Sequence, residues 1–189
     1  MSHLTDLTIN PRLRAAAEHY AAFMAAVGLP TNTPDTEDTP LRVAKMFAYE
    51  FSEAYRDHGF KMTMFPYHGD SYVAVHKVPI RTICAHHHLP VMGHIDIVYH
   101  PDKKVIGLSK IPRLVRHLSS KPTSQEALTD EIADQLYNFT FAHGIYVKMR
   151  ATHTCMTVRG VETDGLTTTA AIRGKIDKQE CIRLISDSL

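Results

Sequence analysis

Residues 72–84 read Tyr-Val-Ala-Val-His-Lys-Val-Pro-Ile-Arg-Thr-Ile-Cys, and residues 93–99 read Gly-His-Ile-Asp-Ile-Val-Tyr. The first stretch is rich in β-branched residues, which suit a pleated, half-buried surface. The second alternates polar and apolar residues with period two, so it reads as an antiparallel partner of the first. A strand pair at this point organises the rest of the chain. Upstream, Pro11 to Val27 is Ala-rich with Leu13, Tyr20, Phe23 and Met24 interspersed, an amphipathic helix stopped by Gly28-Leu29-Pro30. Asp38-Thr39-Pro40 looks like a capping residue followed by proline at the first helical position. The helix it starts should carry Val43, Met46, Phe47 and Phe51 on one face and fade near Gly59. Downstream, Ile111 to Leu118 reads as a short helix. Thr123 to Phe141 reads as a longer one, with Leu128, Ile132, Leu136 and Phe139 on one stripe and Gly144 ending it. Ile145 to Val158 and Leu166 to Arg173 read as strands, and Asp177 to Ser186 as a closing helix. Helices, strand pair, helices, strand pair, helix is the order of an α+β chain with an antiparallel sheet. It divides into an N-terminal helical region, 1–60, and a sheet-bearing region, 61–189, within one continuous domain.

Bulk properties exclude several function classes. The chain has 189 residues, 44% hydrophobic and 22% charged, ordinary values for a globular protein. Lys plus Arg number 21 and Asp plus Glu 20, so the near-neutral net charge gives no reason to expect nucleic acid or an anionic membrane as partner. No apolar run approaches the roughly 20 residues of a membrane helix. The start, Met1-Ser2-His3-Leu4-Thr5-Asp6, lacks the basic and apolar segments of a secretory signal. Three cysteines, Cys84, Cys155 and Cys181, argue against a disulfide framework and for a reducing, cytoplasmic setting.

The densest chemistry is Cys84-Ala85-His86-His87-His88. A thiolate and imidazoles are natural zinc ligands, and a turn before Pro90 could bring Cys84 and His87 to one point. A buried cysteine beside surface histidines fits the same spacing. A second cluster, His153-Thr154-Cys155, lies far downstream. On a strand, His153 and Cys155 would share a face. Cys84, His87 and Cys155 would then be three protein ligands, the set of a catalytic zinc site with an open position. His86 and His153 would remain free for proton transfer.

Gly107-Leu108-Ser109-Lys110-Ile111-Pro112-Arg113 places a hydroxyl, an ammonium and a guanidinium at a turn into a helix. Arg159-Gly160 follows Cys155, and Arg42 and Lys45 share one turn of the second helix. Phosphates need several charge-assisted donors of this kind. Taken singly, each basic residue also fits a solvated surface, and the stretch is not a Walker loop. Gln125 and Glu126 open the long helix, where Thr123 and Glu126 match a Thr-x-x-Glu capping box that would account for the acid by itself.

Three separated motifs, Cys-x-His-His, Gly-Leu-Ser-Lys-x-x-Arg and His-x-Cys-x-x-x-Arg-Gly, occur in the order found in GTP cyclohydrolase I. The chain also resembles that family in Thr39-Pro40-Leu41-Arg42-Val43-Ala44-Lys45, in Gln125-Glu126-x-Leu128-Thr129 and in Thr167-Thr168-Thr169. The resemblance covers roughly residues 35–189. It implies the tunnelling fold, with helices packed on one side of the sheet and subunits assembled into a ring, usually a decamer with active sites shared between chains. It implies zinc on Cys84, His87 and Cys155, proton transfer by His153 with His86 assisting, and guanine recognition by Gln125 and Glu126. Ser109, Lys110, Arg113 and Arg159, with Arg42 and Lys45, would hold the triphosphate. The implied reaction opens the guanine imidazole ring of GTP, releases formate and yields 7,8-dihydroneopterin triphosphate.

Two positions depart from the family. Ala85 stands where a Glu is usual, and Ala127 where an Arg is common. Loss of a carboxylate beside the metal would alter local electrostatics, rate or substrate choice. Two other readings follow: an enzyme of this fold with an altered substrate or stopping at the formylated, ring-opened intermediate, and a non-catalytic zinc-binding assembly protein.

Overall fold

The structure, a computed structural model, describes residues 10–56 and 61–186. Met1–Asp6 and Gly59 lie outside these residues. The chain divides into two compact units between Glu53 and Ala54.

The first unit holds α1 (Pro11–Ala26) and α2 (Thr39–Tyr49). The Asn10 side chain accepts from the amides of Arg12 and Leu13, which satisfies two of the unpaired donors at the start of α1. Gly28 takes a left-handed φ of 77° just past the helix. Leu13 and Ala17 of α1 pack against Leu41 and Ala44 of α2. The buried positions of α2 are therefore Leu41 and Ala44, while Val43, Met46 and Phe47 are only half-buried. Asp38 makes no capping bond; its own backbone is already helical, and its carboxylate turns to Arg42 at 3.4 Å. The helix ends at Tyr49, well before Gly59. There the Ser52 hydroxyl donates to the Ala48 carbonyl and Glu53–Tyr55 tightens into a 3-10 turn.

The second unit is built on a five-stranded sheet. Its strands are β2 (Val73–Cys84), β3 (Pro90–His100), β5 (Pro122–Thr123), β6 (Gly144–His153) and β7 (Leu166–Gly174), in the order β5-β2-β3-β6-β7. β2, β3, β6 and β7 are antiparallel, and the two-residue β5 runs parallel to the end of β2. A separate antiparallel pair joins β1 (Met64–Pro66) to β4 (Lys104–Ile106). One face of the large sheet, including Ile95, Ile97 and Tyr99 of β3 and Ile145, Val147 and Met149 of β6, forms the main core. Onto it pack α3 (Lys110–Ser119), through Ile111, Leu114, Val115 and Leu118, and α4 (Gln125–Thr140), through Leu128, Ile132, Ala133 and Leu136. Strand alternation sends Val98 and Tyr146 to the opposite face, where α6 (Lys178–Ser186) covers them with Cys181 and Ile185.

Local chemistry explains the irregularities. A bulge between Val75 and Val78 puts Lys77 at φ 52°, and its amide donates to Asp96 at 2.9 Å. Asp96 is buried, with the Arg150 guanidinium 3.7 Å from its other oxygen. At Gly93 a Cβ would meet the Arg150 carbonyl oxygen at 2.0 Å, so only glycine lets β3 and β6 approach there. The long helix is capped by Ser124, whose hydroxyl accepts from the Ala127 amide; Thr123 is drawn into β5 instead. No Thr123–Glu126 capping box forms. α4 ends at Thr140 with Phe141 in the left-handed region, and Gly144 opens β6. β6 stops at His153, and a helical turn, α5 (Thr154–Thr157), replaces the expected strand to Val158. No described helix is long and apolar enough to cross a membrane.

Candidate functional site

The end of β2 and the start of β3 are joined by a turn that its own backbone closes. The Cys84 amide donates to the Leu89 carbonyl at 2.9 Å, and the His88 amide donates to the Cys84 carbonyl at 2.8 Å. The Ala85 amide donates to Thr123 on β5 at 3.2 Å, and His88 completes the reversal at φ 53°. Cys84 is buried against Val91 and Ala151, with Cys155 packed beside it. Its sulfur lies 3.8 Å from His87 Nδ1 and 3.7 Å from His86 Nδ1.

Distance to Cys84 alone does not separate the two histidines. Convergence with the downstream segment does: the ligand atoms of Cys84, His87 and Cys155 all lie within 4.8 Å of one another. A tetrahedral zinc with bonds of about 2.3 Å to sulfur and about 2.0–2.1 Å to nitrogen spaces its ligands by about 3.5–3.8 Å. The Cys84–His87 separation already has that size, and two thiols with one imidazole are the borderline-soft donors that zinc favours. The reason Cys155 reaches the site differs from the strand argument. His153 is the last strand residue and Cys155 sits in the helical turn after it. Burial, then the neighbouring Cys84 thiol, pushes the Cys155 thiol up, while the Arg159 charge opposes them. Two thiols crowded together in this way resist joint ionisation until a cation arrives.

Beside this cluster, His153 Nε2 lies 2.7 Å from Gln125 Oε1. Gln125 is only 3% exposed, and its amide nitrogen donates to the Thr167 carbonyl and the Thr169 hydroxyl, each at 3.1 Å. The Gln125 amide is thus committed within the protein. Glu126, next to it on the first turn of α4, is exposed and released from any capping role. The threonines missed as site residues were legible as a period-two pair on β7, which puts Thr167 and Thr169 on one face.

The basic residues stand on separate segments. Ser109 precedes α3 without making a cap bond, Lys110 opens the helix, and Arg113 is exposed. Arg113 lines a cleft with Arg81 and Arg116 over Val78 and Pro79. Among the described residues, no hydrogen bond or ion pair ties Ser109, Lys110 or Arg113 to the cysteine–histidine cluster. Arg159 is exposed and near enough to act on Cys155. Arg42 and Lys45 stand on α2 of the first unit, and the cluster is assembled without them.

The chain is similar to known proteins over most of its length. The family described as GTP cyclohydrolase I matches residues 16–185. GTP cyclohydrolase 1 of Sulfurihydrogenibium sp. (strain YO3AOP1) is 39% identical over 172 residues, covering 87% of this chain and 90% of that protein. The Aquifex aeolicus (strain VF5) protein of the same name is 39% identical, covering 80% and 82%. That of Streptococcus pyogenes is 37% identical, covering 92% and 91%. Matching nearly end to end, with the zinc-type donors converged at one point, the chain belongs to the GTP cyclohydrolase I family.

Proposed function

We propose that this chain is a zinc-dependent GTP cyclohydrolase that opens the imidazole ring of GTP, releases formate and forms 7,8-dihydroneopterin triphosphate. The observation that carries the reading is the convergence of Cys84, His87 and Cys155 beside a histidine that is not among the ligands. Cys84, His87 and Cys155 would hold a zinc ion, which when bound would supply a hydrolytic nucleophile at neutral pH. His153, at the end of β6, moves a proton to or from the guanine imidazole, and His86 in the β2–β3 turn, 3.7 Å from the Cys84 sulfur, assists. Positioned acid–base groups of this kind contribute about 100- to 10,000-fold. Glu126 presents a free carboxylate to the N–H groups of guanine. Ser109, Lys110, Arg113 and Arg159, with Arg42 and Lys45, bind the triphosphate.

Assembly completes the site. The exposure of Leu108, Val158, Val161 and Leu166 supports a ring-forming homo-oligomer, a decamer in this reading, in which neighbouring chains share each active site. The tunnelling-fold region from residue 61 carries the chemistry, and the helical region to residue 60 adds Arg42 and Lys45. Three free thiols, two of them metal ligands, suit a cytoplasmic setting.

Ala85 and Ala127 favour one second reading, a retuned enzyme that stops at the formylated, ring-opened product. Incubating the zinc-loaded protein with GTP and separating the products, after oxidation to fluorescent neopterin, tests both. Neopterin triphosphate with stoichiometric formate supports the full reaction. A formylated pyrimidine supports the truncated one. Unchanged GTP with zinc bound refutes both and leaves a non-catalytic zinc protein.

A further inference from the structure

We infer that Gln125 is a positioning residue: it fixes the hydrogen of His153 on Nε2 and leaves Nδ1 as the atom that exchanges a proton with the substrate. The inference rests on His153 acting in the ring hydrolysis, and it replaces the guanine contact expected of Gln125. The wiring follows from which groups can only accept. The Thr167 carbonyl has no hydrogen, so the Gln125 atom 3.1 Å from it must be the amide nitrogen. That nitrogen's second hydrogen meets Thr169 Oγ1 at 3.1 Å. The amide oxygen therefore faces His153 Nε2 at 2.7 Å, and because an amide oxygen only accepts, Nε2 must carry a hydrogen.

The threonine hydroxyls lock this direction. Thr129 Oγ1 donates to the Gln125 backbone carbonyl at 2.7 Å. With that hydrogen spent, the 2.6 Å contact between Thr169 and Thr129 is filled by the Thr169 hydroxyl donating to Thr129 Oγ1. Thr169 Oγ1 is then left as the acceptor that Gln125 requires. A reversed amide would set its oxygen against the Thr167 carbonyl and lose its bond to Thr169. Gln125 and Thr129 are 3% and 2% exposed, so water is not at hand to repair the mismatch.

Two consequences follow for His153. Its Nε2 is occupied, which keeps this nitrogen from metal although Cys155 lies two positions away. Its Nδ1 has no partner among the described residues. In the acid step the hydrogen on Nδ1 passes to the substrate nitrogen and the bonding pair stays on Nδ1. The imidazole that remains is the Nε2–H tautomer that Gln125 already holds, so no ring rotation or proton shift intervenes.

Neutron diffraction from deuterated crystals of the zinc-loaded protein reads the wiring directly. A deuteron on His153 Nε2 aimed at Gln125 Oε1, with the Gln125 ND2 group toward Thr167, is the expected result. An Nε2 without a deuteron, or a reversed amide, overturns the inference. Kinetics with GTP separate positioning from guanine recognition. Gln125→Met, zinc-loaded, should lower kcat by about 10- to 100-fold with KM within about twofold of wild type. A raised KM with kcat preserved would assign Gln125 to guanine and overturn the inference. If the wild-type protein does not turn over GTP, the proposed function fails, while the neutron result still judges the wiring.

Discussion

Replacing Cys155 by alanine should weaken zinc binding by about 100- to 1,000-fold and change how that binding depends on pH. Cys155 is one of three donors whose ligand atoms lie within 4.8 Å. Four-ligand structural zinc sites yield about 10–16 kcal/mol at neutral pH, or about 2.5–4 kcal/mol per ligand, which sets the loss. The pH term comes from the thiol itself. Burial and the nearby Cys84 thiol hold Cys155 above the usual thiol range, so it is protonated through neutral pH and must shed that proton to ligate. From this group alone, the apparent affinity of the wild type should fall about tenfold for each pH unit toward acid. C155A lacks that proton, so its plot of log affinity against pH should be shallower by about one. Competition with a chromophoric chelator between about pH 6 and 8 measures both quantities, with circular dichroism to check the fold. The reasoning is refuted if C155A, correctly folded, holds zinc with unchanged affinity and unchanged slope.

Other expectations concern stability and tuning. Cys181 is fully buried, and burial, then Asp177 and Glu180, push its thiol up to about 11. The unfolded chain therefore loses this proton at lower pH than the folded one, and stability should fall from about pH 9 to 11 by about 3 kcal/mol. Urea titrations of Cys181→Ala across that range should lack this component. Phe141 is 79% exposed at φ 50°, so Phe141→Gly should relieve the left-handed strain for little lost packing. A gain of about 0.5 kcal/mol is expected in chemical denaturation, and a loss would contradict it. Gly93→Ala forces a methyl onto the Arg150 carbonyl and should cost about 3 kcal/mol or more, read as a lowered melting temperature; a neutral result would mean β3 and β6 part easily. Ala85→Glu restores a carboxylate beside the metal turn and should shift kcat or KM for GTP with zinc content constant. Identical kinetics and product would exclude a tuning role for this position.

The β2–β3 pair and the core stripe of α4 were legible because each side chain's face follows from its spacing alone. Leu128, Ile132 and Leu136 recur at helical period and are all fully buried. The turn at Cys155 was not legible. Apolar and polar residues alternate from Ile145 to Thr152, and nothing in the spacing beyond marks the change from strand to helical turn at Thr154. Thr123 and Ser124 are both competent caps, and only the pairing of Thr123 beside Cys84 decides between them. The helix α4 ends on Phe141, a residue that local preference would not place in the left-handed region. At the site, the residues that converge, Cys84, His87 and Cys155, could be named from residue type and motif order. The partners of Gln125 could not, because they lie on β7, and sequence gives spacing along a strand but not what faces it.

The self-closed turn from Cys84 to Leu89 has an entropic meaning. Its backbone bonds hold two donors on one short loop, so the chain entropy of chelation there is already spent before metal arrives. Cys155 lies outside that loop, on the α5 turn, so the position of the third donor would depend on the fold that carries β6 and α5 rather than on the turn itself.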